Sequence, residues 1–342
     1  MMNKYLEILE QIEQKRNQPP QQHVVLVDSL NTFIRNFTTL KSMNPQGHHI
    51  GGLLGFLRSL GYMVRTLDPS KIICVFDGKG SSMNRKNIDV NYKANREATR
   101  ITNWGMFDTK GEERESMSAQ INRLMDYLEC LPVTVLMYDK IEADDIISYL
   151  AQEYANKGIR VTIVSSDRDF LQIIREDINI YSPIKKELFD TKNIEQHLGV
   201  HPTNYLIFKA LAGDSSDNLS GIKGLGAKGI VKLFPRLVTE PNVPLSYIYE
   251  ECEKNLQSKK KIYAGIIFDW DKVEKNYELM NIQNPRLTDE EKSTILDELR
   301  KSVAKLQGGI FLRYMEQDHI EGITNNTEVW LEQFRPLTLK QQ

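Results

Sequence analysis

Nine carboxylates in this 342-residue chain stand where they could hold divalent cations. Asp28 follows the apolar run VVLV, Asp77 follows IICVF, and Asp167 and Asp169 follow VTIVSS. Glu142, Asp144 and Asp145 open the segment EADDIISYLA, and Asp214 and Asp217 lie in LAGDSSDN. Each acid taken alone has an ordinary explanation. An aspartate after a strand caps the next helix, and acids in a first helical turn complement its dipole. Taken together they imply more. Acids that end successive strands converge at one edge of a sheet, where their mutual repulsion in a low-dielectric cleft calls for cations. Glu142 and Asp145 share one helical face, with Asp144 beside them. All-oxygen ligands suit Mg²⁺, with Mn²⁺ as a substitute, whereas the scattered cysteines and histidines offer no zinc site. Two such ions about 4 Å apart would activate a water and stabilise the leaving oxygen of a phosphoryl displacement. Nine acids exceed what two ions ligate directly, so some act through bound water.

Cations accompany the acids. Between residues 79 and 100, Lys79, Arg85, Lys86, Lys93, Arg96 and Arg100 are opposed only by Asp89 and Glu97. Such a run usually means a charged surface loop, but its position directly after Asp77 favours a grip on phosphates. Tyr92 within it either stacks on a base or packs inward. The run GIKGLGAKGI has a literal G-x-G-x-x-G spacing at Gly224, Gly226 and Gly229. A polar loop precedes it where a dinucleotide site needs a strand, and Ala227 stands where a P-loop needs its lysine. What remains is a helix–glycine hairpin–helix that brings backbone amides near a phosphate, with Lys223 and Lys228 adding charge, or else a plain interhelical turn.

The elements that carry these groups follow from apolar patterning. HVVLV (23–27), KIICVF (71–76), VTVLM (133–137) and RVTIVS (160–165) read as buried parallel strands. Segments 50–67, 114–130 and 142–157 repeat apolar residues at helical intervals. Strand and helix in alternation predict an α/β fold, a mostly parallel sheet with helices on both faces and a ligand site beyond the strands' carboxyl ends. We therefore expect an N-terminal extension over 1–22, with Tyr5, Ile8, Leu9 and Ile12 at helical spacing, and an α/β core over 23–190. A helical region over 191–342 completes the chain. The lysine run Lys259, Lys260 and Lys261 reads as a solvated helix face, with a DNA-backbone contact as the other reading. The net charge of −2 gives no global support for a nucleic-acid partner, so that inference rests on local patches. A charged N-terminus, the lack of a membrane-length apolar run and three odd cysteines predict a soluble protein of a reducing cytoplasm.

The segments VLVDSLNTFIR, VFDG, NYKANR, EADD, SSDRDF and LAGDSSDNLSGIKGLGAKG, in that order over about residues 24–236, resemble the 5′-nucleases of the flap endonuclease superfamily. The likeness looks strongest to the bacteriophage enzymes, phage ribonuclease H included. It implies a PIN-like nuclease core in which Asp28, Asp77, Glu142, Asp144 and Asp145 hold the catalytic side. Asp167, Asp169, Asp214 and Asp217 then hold a second metal position. It places Arg85, Lys93 and Arg96 on an arch or clamp over the site, at about 79–112, with Lys93 and Arg96 neutralising charge on the phosphate. Nucleic-acid contacts fall to Arg35, Arg85, Lys86, Tyr92, Lys93, Arg96, Gly221, Lys223, Gly224, Gly226 and Lys228. The motif at about 214–236 looks like a helix–two-turn–helix that grips duplex backbone, often with K⁺. Ser29 stands where glycine is common and Gly229 where threonine is; neither change removes a ligand.

The resemblance implies a structure-specific 5′-3′ exonuclease and flap endonuclease that removes primers and flaps in DNA replication, and we expect it to act as a monomer. Its substrates would be branched or nicked DNA and RNA–DNA duplexes, with RNase H activity on the latter. A single-stranded-DNA-binding protein is a partner by analogy. Two competitors come from other classes. A non-catalytic DNA-binding protein of the same fold would not need the full acid set, and a PIN-type single-strand ribonuclease would be much shorter and lack the clamp at 221–229.

Overall fold

The computed structural model describes residues 22–94, 103, 105–258 and 260–339. The helix expected near the N-terminus, Arg96, Arg100 and Lys259 lie outside the described residues. Six strands form the main sheet: β1 (His23–Asp28), β2 (Lys71–Asp77), β3 (Thr134–Tyr138), β4 (Arg160–Val164), β5 (Ile178–Ser182) and β6 (Glu187–Phe189). Their order is β3-β2-β1-β4-β5-β6, with β1 to β5 parallel and β6 antiparallel at the edge. The sheet is mostly parallel, as the four apolar runs predict. Strands β5 and β6 are additions, because INIYS and ELF carry too little apolar pattern to stand out.

Period two decides what each strand residue touches. Val24 and Leu26 of β1, with Ile73 and Val75 of β2, enter a core under helix α5 (Ala143–Ala155) and most of the C-terminal helices. Val25 and Val27, with Ile72 and Cys74, face the opposite core. That second core is closed by α1 (Ser29–Thr39), α2 (Gly51–Leu67) and α4 (Lys110–Glu129), and by residues 306–337. Both faces of the central strands are thus dry, which is why their sequences are continuously apolar rather than alternating. A one-turn helix, α3 (Met83–Lys86), follows β2, and the C-terminal region adds α6 (Ile194–Leu198), α7 (Tyr205–Ala212) and α8 (Ala227–Leu233). Later helices used below are α9 (Trp270–Met280) and α10 (Thr327–Glu332). Among the described residues no helix is long and apolar enough to cross a membrane.

Strand order fixes where a ligand can sit. From β1 the chain crosses to β2 and β3 on one side, then returns to β4 and β5 on the other. At such a switch point the connections leaving two neighbouring strands diverge and open a crevice beyond their carboxyl ends. Asp28 ends β1 there, and Ser165, Ser166 and Asp167 follow β4. Register sets Val27 opposite Val164 and Asp28 opposite Val75, so Asp77 leaves β2 two residues beyond the level at which Asp28 leaves β1.

Candidate active site

A cleft of about 290 Å³ opens at the switch point, lined by Asp28, Asp77, Asp144, Asp167 and Asp217 together with Arg35 and Lys93. Five carboxylates from five separate stretches of chain therefore meet. Local structure aims each one. Asp28 caps α1, accepting from the Asn31 N–H at 3.2 Å, and its other oxygen accepts from the Ser165 hydroxyl at 2.7 Å. Asp77 accepts from the Ala143 N–H at 3.0 Å, which pins the start of α5 against the end of β2. Capping and site-lining are thus not rival explanations here: Asp28 caps α1 and Asp77 holds the start of α5 while both line the cleft. Asp167 accepts from the Asp169 N–H at 2.8 Å and is itself oriented through its N–H to Ser165.

The three acids at the start of α5 divide their work. Asp144 faces the cleft, while Glu142 and Asp145 lie buried behind it. Arg85 joins the buried two: one guanidinium nitrogen reaches Glu142 at 2.7 Å and Asp145 at 2.8 Å, and the other reaches Asp145 at 3.0 Å. Arg85 also donates to the Leu279 carbonyl. With a relative exposure of 2%, Arg85 has no surface to offer a strand. The expectation that it grips nucleic acid from an arch is corrected, because its donors are spent on carboxylates and a carbonyl. Both oxygens of Asp145 are engaged too, by Arg85 and by the Arg286 N–H at 3.1 Å, so Asp145 acts as a buried partner rather than a direct ligand. Glu142 differs. One oxygen accepts from Arg85 and from Lys93 at 3.1 Å, but Oε1 is buried with no partner among the described residues.

A second group of acids adjoins the first. Lys209, buried near the end of α7, donates to Asp169 and, at 2.7 Å, to Asp214. Asp217 is buried and receives the Tyr92 hydroxyl at 3.3 Å. Lys209 was not anticipated among the site residues. The one signal was a lone cation in the apolar segment LIFKALAG, five residues before Asp214.

Electrostatics record the crowding. Burial, with the charges of Asp167 and Asp77 added, pushes Asp28 up to about 7 against the lowering pull of Ser165. Burial and the charge of Asp167 likewise carry Asp169 to about 7, although Lys209 opposes them. Asp144 is raised well above the carboxylate range by burial and then by Asp167. Asp214 goes the other way, to about 2: burial would raise it, but Lys209 and Ser216 together outweigh that effect. The donor chemistry suits a hard cation, being all oxygen, self-repelling and furnished with an orphaned carboxylate oxygen on Glu142. Among the described residues no trio of these acids is already closed into a cation cage.

The expected nucleic-acid contacts separate into inner and outer residues. Tyr92 packs inward against Leu206, Leu219, Leu279 and Met280, so it is not a base-stacking platform. Lys93 lines the cleft, with its N–H donating to the Asp217 carbonyl. Gly221 is a packing residue: a Cβ there would lie 2.1 Å from the Ala212 carbonyl oxygen. That close approach is what requires glycine at this position. Lys223, Gly224, Gly226 and Lys228 are exposed, with open space around Gly224 and Gly226. A two-residue β-ladder, Gly213–Asp214 with Leu219–Ser220, stands between α7 and this glycine turn. Lys86 is half-buried beside Arg85.

Residues 23–199 match the family model described as 5′-3′ exonuclease, N-terminal resolvase-like domain. The chain belongs to the 5′-3′ exonuclease family. A 5′-3′ exonuclease of Aquifex aeolicus is 26% identical over 283 residues, covering 82% of this chain and 90% of that protein. DNA polymerase I of Mycobacterium tuberculosis strain H37Rv is 32% identical over 216 residues, which are 61% of this chain but 22% of the polymerase. Among solved structures, the bacteriophage T5 D15 flap endonuclease in a pseudo-enzyme–product complex with DNA and metal ions gives a TM-score of 0.62. That match is 17% identical and covers 87% of this chain and 98% of that one. The catalytic core of Rad2 in complex with DNA substrate gives 0.52 at 15% identity, over 93% of this chain and 92% of that one. At those identities the likeness is one of fold, and it places this 5′-3′ exonuclease family member on the flap-endonuclease architecture.

Proposed function

We infer that the protein is a structure-specific 5′-nuclease, a 5′-3′ exonuclease and flap endonuclease that hydrolyses phosphodiester bonds in primer and flap removal. One observation carries the reading: Asp28, Asp77, Asp144, Asp167 and Asp217 line a single cleft at the sheet's switch point, with Lys93 on its wall. Asp28, Asp77, Glu142 and Asp144 would hold one divalent ion, and Asp167, Asp169, Asp214 and Asp217 a second, with Mg²⁺ as the hard cation that suits them. Such ions supply Lewis-acid stabilisation to the phosphate and a nucleophile at neutral pH.

The chain's own residues do the rest. Asp28 and Ser165 stay locked together so that one carboxylate oxygen keeps a fixed aim. Lys93, set against Glu142, is the protein cation best placed to offset charge building on the scissile phosphate. Arg96 belongs in the same role from outside the described residues. The exposed turn with Lys223 and Lys228 would hold duplex backbone through amides and charge, with K⁺ as a third party. RNA of RNA–DNA duplexes is included among the substrates, and a single-stranded-DNA-binding protein is the partner that lagging-strand work would supply.

The test is cleavage of 5′-labelled flap, nicked and RNA–DNA substrates, with Mg²⁺ and with EDTA. Products ending in a 5′-phosphate, formed only with the metal, support the reading. Cleavage that persists in EDTA, or none on any substrate, overturns it.

A further inference from the structure

Beside the carboxylate cleft lies a second concavity of opposite character. It measures about 260 Å³ and is bounded by α1, α2 and the β5–β6 turn. Its charged lining is Arg35, Arg58 and Lys186, its aromatic lining is Tyr62 and Tyr181, and among the described residues no carboxylate borders it. The neighbouring cleft has five acids. Arg35 borders both, so the two spaces lie on either side of one side chain.

Among the described residues no protein anion lines the cup to satisfy its polar groups. Arg35 Nε is buried and has no partner among the described residues. Burial holds the Arg35 guanidinium below its ordinary range, with Tyr181 as the group opposing that effect. The Tyr181 hydroxyl donates to the Tyr62 hydroxyl at 3.3 Å, so the two phenols form one edge of the cup. Arg58 spends its Nε on the Ile323 carbonyl at 2.6 Å, which braces the side chain at the rim. Cations gathered without counter-charge around a cavity repel one another, and an anion entering would relieve that repulsion. Arginine donors in a fixed fork beside phenol hydroxyls suit the oxygens of a phosphate ester. The volume falls below the roughly 300 Å³ at which pockets for whole small molecules begin, which fits one phosphate with part of its sugar.

We propose that this cup is a phosphate subsite of the nuclease, holding a phosphate of the bound strand to one side of the scissile bond. The proposal rests on the nuclease reading. Arg35 lies two turns along α1 from Asp28, about 10 Å of helix rise. With a rise of about 3.4 Å per nucleotide in a strand, the held phosphate is about three nucleotides from the one being cleaved. Lys186 and Arg35 supply the charge, Arg58 closes the rim, and the tyrosine pair orients the ester oxygens.

The test is substrate affinity in Ca²⁺, measured by fluorescence anisotropy on a nicked duplex across a salt series. The variants are Lys186→Ala and Lys186→Ala with Tyr62→Phe, neither of which removes a buried ion pair. Lys157→Ala, a lysine in the turn after α5, is the control for loss of charge alone. Each cup variant is expected to bind about tenfold more weakly, with the slope of log K against log salt reduced by about one, while the control binds like the parent. Unchanged affinity and slope in both cup variants would overturn the subsite, as would an equal loss in the control. The same series run with 5′-phosphate and 5′-hydroxyl ends identifies the source. A loss confined to the phosphorylated substrate assigns the cup to a terminal phosphate, and a loss on both assigns it to an internal diester. Failure of the parent protein to bind or cleave any of these substrates would instead remove the nuclease reading.

Discussion

At the scale of single residues, the acids differ in what their second oxygen does. Asp28 spends one oxygen on a backbone amide and the other on the Ser165 hydroxyl, Asp77 spends one on a backbone amide, and Asp144 lines the cleft. Replacing Asp77 or Asp144 by Asn removes charge without changing shape. Cleavage should fall below detection while duplex affinity stays within about threefold, since phosphate grip comes from cations elsewhere. Retained Mg²⁺-dependent turnover in both variants would count against the assigned site. Arg85 makes a different prediction. Its guanidinium is the counter-charge for two buried carboxylates, and removing one member of a buried pair strands the others. Arg85→Gln should cost about 3–5 kcal/mol in urea unfolding, with part of the loss recovered by adding Asp145→Asn. A variant as stable as its parent would show that Arg85 does not carry this load.

At the scale of elements, the second acid group depends on a short turn being tightly folded. Gly213–Asp214 pairs with Leu219–Ser220, and Gly221 follows with its Cα pressed on the Ala212 carbonyl. The Lys93 N–H donates to the Asp217 carbonyl and the Asn218 amide to the Asn91 carbonyl, so the basic segment is sewn to this turn. Gly221→Ala would force two backbone segments apart, because neither neighbour is a flexible side chain. The expected loss is about 1–3 kcal/mol of stability, with a larger fall in divalent-metal affinity by calorimetry than the melt alone would suggest. Normal metal binding in a destabilised Gly221→Ala would separate the turn from the site. Glycine here serves the close approach of two backbone segments, a role the sequence pattern GIKGLGAKGI did not reveal.

At the scale of the whole molecule, the site stores repulsion in the metal-free protein. Asp28 and Asp169 are both raised to about 7 from an ordinary 3.8. A carboxyl whose folded pKa is raised holds a proton that the unfolded chain has already lost. Its stabilising contribution is therefore full below about pH 4 and disappears as pH rises through about 7. Metal-free protein should melt at lower temperature at pH 8 than at pH 5, and Asp28→Asn should narrow that difference. Mg²⁺ should raise the melting temperature more at pH 8, where the carboxylates are ionised, than at pH 5. Equal metal-induced shifts at the two pH values would rule out a titrating site. The fold withstands this repulsion because two dry cores flank the sheet, and α10 closes one of them by setting Trp330 against Gly61.

The apolar runs and helical periods were enough to place four of the six strands, three main helices and the acids at strand ends, because each of these is a local property of the chain. Their convergence was an expectation from topology, and strand order made it physical by setting β1 beside β4. Other features were beyond local reading. Whether Arg85 points at solvent or at two carboxylates, whether Tyr92 stacks outward or packs on α9, and how closely Gly221 approaches a carbonyl depend on the folded neighbours. A basic patch written along the chain thus splits in three dimensions into a buried counter-ion, cleft-lining charge and exposed charge. Only packing decides which is which, since burial determines whether a charge meets water, a carboxylate or a substrate.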